Sequence, residues 1–181
     1  MVGVFFANGF EEVEALTVVD LLRRANIETK MISILEDISV TGAHNIEIKA
    51  DAVIKDIDIS SLDAIVLPGG NPGFSNLGKC TLLMDKCKEF AENEDKLLAA
   101  ICGAPSVIGK LGILEGRKAA VYPGMEEFLV GADVKYDTVV TDRNIITSRG
   151  MGTAIDFGLA IVEYYQGKDS AKSLGEKIVY V

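Results

Sequence analysis

Apolar residues fall along this chain in short, nearly continuous blocks, each followed by a longer stretch in which apolar positions recur every three or four residues. The blocks at 2–6, 29–34, 63–67 and 97–101 predict strands, and the stretches at 11–24, 81–91 and 104–111 predict helices. A strand that alternates has one wet face. Continuous apolar strands alternating with helices instead predict a mainly parallel, doubly wound α/β sheet with helices on both faces. The stretch 35–54 breaks the rhythm, with Gly42 between two short alternating runs, and predicts a small hairpin at a sheet edge. Beyond it come a strand at 118–122, a hairpin over 138–148 turning at Asp142-Arg143-Asn144, a helix at 153–165 ended by Gly167, and a short amphipathic helix at 169–177. With no linker, repeat or low-complexity segment, residues 1–181 read as a single domain.

Composition narrows the function classes. Hydrophobic residues at 49% and charged residues at 25% match soluble globular domains, so disorder, collagen and coiled coil are poor readings. Eighteen Lys+Arg against 27 Asp+Glu give a formal charge of −9, a field that repels phosphate backbones and anionic lipid. Neither nucleic acid nor membrane is expected as a partner. The N-terminal apolar run is too short for a signal peptide and lacks a basic flank, and no apolar stretch approaches the roughly 18 residues of a membrane span. Cys80, Cys87 and Cys102 cannot all pair within one chain, and neither a CxxC nor a Cys/His cluster at zinc spacing occurs. This usage fits a reducing cytoplasm, without a disulfide framework or a metal. No GxxxxGK[ST] is present, and the segment GMGTAI has Ile155 where a dinucleotide fingerprint needs its third glycine, so no cofactor is expected.

In doubly wound sheets chemistry gathers at the carboxyl ends of strands. Cys102 follows the apolar run LLAAI and precedes GAPSVIGKL, which puts it on a sharp strand-to-helix turn with the geometry of a nucleophile elbow. A helix N-terminus there would lower the thiol pKa. The competing reading is plain packing, since free cysteine is among the most buried residue types. Pro68-Gly69-Gly70 ends the strand DAIVL with residues that let backbone N–H groups approach a ligand, as an oxyanion hole requires, although a simple turn has the same composition. Glu11, Glu12 and Glu14 open the first helix, where acids complement the macrodipole. Glu14 shares its stripe with Val18 and Leu21, which points it inward, where it would either be a structural carboxylate or take up a proton and donate to a nearby sulfur. His44 is the only histidine and lies among polar residues of the edge hairpin, either solvated or half of a Cys–His pair.

ANGFEEVEA with Asp20, DAIVLPGGNPG, LLAAICGAP and IITSRGMGTAIDFGLAIVE stand in the order and spacing of the ThiJ/PfpI superfamily, and the chain resembles its branch of the parkinsonism-linked protein deglycase, the DJ-one type. The resemblance covers nearly the whole chain. It implies a flavodoxin-like fold, usually a homodimer, with an oxidation-prone cysteine at Cys102, a glutamate partner at Glu14 and backbone donors at Gly70 and Gly103. Peptidase members place a histidine directly after the cysteine; Gly103 stands there, so that dyad is absent. Many deglycase-type members carry a histidine before a proline, where this chain has Tyr122 before Pro123. Arg24 matches an anion-binding arginine of the family, and His44 occupies the nearby hairpin position.

The resemblance implies a cysteine-dependent enzyme acting on methylglyoxal or its early adducts, with Gly70 and Gly103 holding the oxyanion and Glu14 moving the proton. The alternative is a redox sensor, stress-response or chaperone protein using the same cysteine as its oxidant target. Cysteine peptidase activity and thiazole-phosphate biosynthesis carry less weight, the latter because no phosphate-binding motif is present.

Overall fold

The computed structural model describes residues 1–180. In chain order the elements are β1 (Val2–Phe6), α1 (Glu12–Arg24), β2 (Thr29–Ser33), β3 (Ser39–Thr41), β4 (Glu47–Lys49), β5 (Ala52–Val53), β6 (Ala64–Leu67), α2 (Gly73–Gly78), α3 (Thr81–Glu92), β7 (Leu97–Ile101), α4 (Ala104–Lys110), β8 (Lys118–Ala119), β9 (Asp133–Val134), β10 (Val139–Asp142), β11 (Ile145–Ser148), α5 (Ala154–Gln166) and α6 (Lys168–Lys177). Among these residues seven strands form one sheet in the order β10-β11-β7-β6-β1-β2-β5, parallel throughout except where β10 meets β11. This is the flavodoxin-like α/β architecture.

The absence of alternation in the central strands follows from burial on both faces. Phe5, Ile65, Leu67, Leu98 and Ala100 enter a core with Leu83, Met84, Phe90 and Ile108 of α3 and α4. Their neighbours Val4, Phe6, Val66, Ala99 and Ile101 enter the opposite core with Val18 and Leu22 of α1 and Phe157 and Ile161 of α5. Each large side chain removed from water in this way contributes roughly 1.5–3 kcal/mol. Successive residues therefore serve different layers, and any polar residue in these strands would be stranded.

Two expectations are corrected in detail. The 35–54 stretch does form a hairpin, but β3 and β4 pair only with each other, and the edge of the large sheet is taken by β5 beside β2. The hairpin is drawn instead to the loop after β1: Gly9 N–H donates to Thr41 O and Ala43 N–H donates to Phe10 O, both at 2.8 Å. At 118–122 only Lys118–Ala119 is a strand, and it pairs with β9 in a separate two-stranded sheet. The rest becomes a strap, because Ala120 N–H donates to Thr147 Oγ1 (2.9 Å) and Tyr122 N–H to Cys102 O (2.9 Å).

The β10–β11 turn is fastened to the opposite end of the sheet from the strand carboxyl ends. Its Asn144 side-chain amide donates to the carbonyls of Phe90, Asn93 and Lys96 at 2.9–3.1 Å, clasping the connection between α3 and β7.

Candidate active site

Cys102 is the residue at which β7 stops. Its φ is +63°, a left-handed conformation that costs an L side chain roughly 1–2 kcal/mol, and it is held there from both sides. Its N–H donates to Ser148 O at the end of β11 (3.0 Å), and its carbonyl accepts from Tyr122 N–H (2.9 Å). The chain turns directly into α4, with Gly103 as N-cap and a proline in the first turn. The amides of Gly70 and Gly103 favour the charged form of the sulfur.

Gly70 owes its identity to position: φ is +90°, and a Cβ there would lie 2.2 Å from Glu11 N and 2.4 Å from Phe10 C. Gly69, which the sequence marks only as part of the Pro68-Gly69-Gly70 turn, is a spacer. A Cβ on it would strike Cys102 Cβ (2.6 Å), Cys102 Sγ (2.9 Å) and Glu14 Oε2 (2.7 Å), so the thiol and the carboxyl face each other across a residue that has no side chain. Its N–H donates to Glu14 Oε2 at 2.8 Å.

Glu14 is 1% exposed, and its other oxygen, Oε1, is buried without a hydrogen-bond partner. Burial pushes this carboxyl up to about 7, against the Gly69 amide and the Cys102 contact, which favour the ionised form. Burial likewise pushes the Cys102 thiol up to about 12, helped by the Glu14 charge and hydrogen bond and opposed by the Gly70 and Gly103 amides. The expected lowering by the helix N-terminus is thus overturned: desolvation and a neighbouring carboxylate outweigh two amides. The pair acts as one titrating unit. With the proton on Glu14, its O–H can donate to sulfur, and two of the three causes raising the thiol disappear.

The cleft over the sulfur has a volume of about 420 Å³ and is lined by Glu11, Asn71, Phe74, Tyr122 and Met125 besides Gly70, Cys102 and Gly103. Tyr122 is half exposed on its rim. Phe74 and Met125 were missed by sequence reading; the one available signal was an aromatic residue just past the PGGNPG turn.

Two other expected residues stand elsewhere. Arg24 lies in the last turn of α1, ten residues beyond Glu14 and hence about 15 Å along the helix, where its guanidinium donates to Asp20 Oδ2 (2.6 Å). It does not line the Cys102 cleft, because the helix axis carries it away from the strand ends. His44 caps the β3–β4 turn instead of meeting the thiol. Its N–H donates to Glu12 Oε1 (2.7 Å), its Nδ1 lies 2.8 Å from Glu12 Oε2 and 3.8 Å from Glu11 Oε2, and the hydrogen bond to Glu12 raises its pKa ahead of the charges of Glu11 and Glu12. Burial works to raise Glu12, yet its bonds to His44 hold it below the usual carboxylate range. Glu11, Glu12 and His44 are also a group with metal-ligating atoms close together, within 4.8 Å of one another. The imidazole nitrogen nearest that point is already engaged with Glu12.

Cys87 is fully buried, and desolvation raises its thiol far above the ordinary range, as plain packing predicts.

The profile of the DJ-1/PfpI family matches residues 1–164. Protein DJ-1 homolog B of Arabidopsis thaliana is 37% identical over 175 residues, covering 96% of this chain; the chain spans only 40% of that plant protein's length. The glutathione-independent glyoxalase DJR-1.2 of Caenorhabditis elegans is 32% identical over 166 residues, covering 91% of this chain and 87% of the nematode protein. The solved structure of oxidized Toxoplasma gondii DJ-1 superposes with a TM-score of 0.94 at 31% identity, covering 99% of this chain and 98% of that one.

Proposed function

The chain belongs to the DJ-1/PfpI family, and from that membership we propose that it is a cysteine-dependent small-carbonyl enzyme of glyoxalase or deglycase type, acting on methylglyoxal or its early adducts. The observation that carries this reading is the placement of Cys102 on a left-handed elbow, with two backbone amides at its sulfur and the buried carboxyl of Glu14 across Gly69. A nematode relative bears the name of a glutathione-independent glyoxalase, which supports the substrate class.

In this reading the Cys102 sulfur adds to the aldehyde carbon of methylglyoxal. The C–S bond forms, the carbonyl π pair moves to oxygen, and the amides of Gly70 and Gly103 stabilise that oxygen as the sulfur gives up its charge. Glu14 gives its proton to that oxygen, then takes the former aldehyde proton and returns it to the ketone carbon through an enediol, while the proton on the former aldehyde oxygen passes to the ketone oxygen. A carboxyl near 7 serves both directions at neutral pH. Water cleaves the resulting thioester, releasing the 2-hydroxy acid and restoring the thiol. The aldehyde carbon is oxidised and the ketone carbon reduced, so no external oxidant or reductant is consumed.

The test is methylglyoxal consumption with lactate as product, in wild-type protein and in Cys102→Ser. Many turnovers in the first and a loss of at least a hundredfold in the second are expected; less than one lactate per wild-type chain would overturn the reading.

A second reading, a redox sensor or stress-response protein, is favoured by one observation: Glu14, whose carboxyl faces Cys102 across Gly69, has a buried oxygen without a hydrogen-bond partner, and when protonated it would donate to an oxygen on an oxidised Cys102. Peroxide treatment that stops at two added oxygens on Cys102, without aldehyde turnover, would select it. Family membership is also the ground for proposing a homodimer in a reducing cytoplasm, with sedimentation as the check. Among the described residues no helix is long and apolar enough to cross a membrane.

A further inference from the structure

The Cys102 cleft is an open groove of about 420 Å³, more than a three-carbon oxoaldehyde fills. The extra room is bounded in a specific way. The Phe74 ring rests on Gly103, where a Cβ would come within 2.7 Å of it, and the Tyr122 ring rests on Gly150, where a Cβ would lie 3.5 Å away. Both rings line the cleft, and Met125 supplies a third apolar wall. Polar lining comes from Glu11 and Asn71, and the amides of Gly70 and Gly103 favour charge on the sulfur. Glu11 is the charged side chain among the lining residues, and Glu14 lies behind the thiol, so a substituent carrying negative charge meets repulsion.

A carbonyl at the sulfur with a flat apolar group against two rings and a thioether matches the reacting atom and the three apolar walls together. We propose that the site selects neutral 2-oxoaldehydes bearing an aryl group on the ketone carbon, of which phenylglyoxal is the simplest, with Phe74, Tyr122 and Met125 as the specificity-determining residues. The proposal rests on the carbonyl reading of Cys102, and adds to it the side of the substrate remote from the chemistry.

Two measurements separate the two claims. The first needs no turnover: the rates at which phenacyl bromide and bromoacetone alkylate Cys102 are compared by peptide mass spectrometry, with Cys80 in the same molecule as reference. These reagents share a leaving group and a ketone and differ by phenyl against methyl. The phenacyl-to-acetonyl ratio at Cys102 is expected to exceed that at Cys80 by about tenfold or more, and to fall towards the Cys80 value in Phe74→Ala and in Met125→Ala. Phe74→Leu, which keeps an apolar group on Gly103, replaces the alanine variant if the latter does not fold. The second measurement is kcat/KM for phenylglyoxal relative to methylglyoxal, expected to be about tenfold or more in favour of the aryl substrate and to collapse in the same variants. Equal alkylation ratios at Cys102 and Cys80, or a preference for methylglyoxal, would overturn the aryl proposal while leaving the carbonyl reading intact. A raised alkylation ratio with no turnover of either aldehyde would overturn the carbonyl reading instead, and with it the substrate assignment, leaving only an aryl-binding cleft.

Discussion

Glu14 and Cys102 meet across Gly69, where a single added carbon would lie 2.7 Å from the carboxyl Oε2 and 2.9 Å from the sulfur. The two groups share one pocket and, near neutral pH, one proton, so what is done to either should be read at the other.

Glu14→Gln removes the charge that raises the thiol while keeping a donor for it. The Cys102 titration, pushed up to about 12 in the wild type, is expected to fall by about one unit or more, a tenfold gain in thiolate. Thiolate absorbance against pH, in Cys80→Ser protein, measures it. An unmoved midpoint would show that the carboxyl and the sulfur do not interact.

The same carboxyl makes stability depend on pH. Its folded value, about 7, is above its ordinary 4.5, so the folded state binds the proton more tightly than the unfolded chain. The contribution is fully present below about 4.5 and is lost as pH rises through about 7; the shift corresponds to about 3 kcal/mol. Urea unfolding at pH 4.5 and pH 8 should show this loss in the wild type and a flatter dependence in Glu14→Gln.

Gly70→Ala should cost far more than Gly112→Ala, although both glycines have positive φ. At Gly112 (φ +77°) nothing lies within 4 Å of the new carbon, and the penalty is the left-handed conformation alone, about 1–2 kcal/mol. At Gly70 the carbon meets the backbone at 2.2 Å, which cannot yield without moving the loop after β1, so a loss of about 3 kcal/mol or more is expected. Denaturation midpoints of the two variants decide between them.

His44→Ala should leave methylglyoxal turnover within about threefold, because the imidazole is engaged with Glu12 rather than with the thiol, and a lost general base usually costs 10²–10⁴-fold. A hundredfold drop in folded protein would show that the hairpin supplies the base. Tyr122→Phe should cost at most about tenfold, the scale of one neutral hydrogen bond.

The sheet was legible because two-sided burial leaves a continuous apolar block, as in Ala64–Leu67 and Leu97–Ile101. So was the elbow, because a cysteine between such a block and GAP has few other conformations. What the chain pattern could not show was distance across the fold. Gly69 and Glu14 are 55 residues apart, yet share a hydrogen bond. Arg24 and Glu14 share a helix, and yet only one of them reaches the thiol. The pKa of Cys102 was misjudged for a related reason: a helix N-terminus is visible in sequence, whereas burial beside a second acid depends on how layers close.

The Ser148 carbonyl that holds the Cys102 amide has a bearing on how the chain is made. The elbow is pinned only when Ile145–Ser148 has docked against Leu97–Ile101, a contact between late and middle portions of the polypeptide. During synthesis the thiol leaves the ribosome well before its clasp does, so the newborn segment carries an ordinary cysteine. The buried, carboxyl-coupled environment of this thiol is therefore acquired at the close of assembly, and the fall in Cys102 labelling during translation would serve as a clock for completion of the sheet.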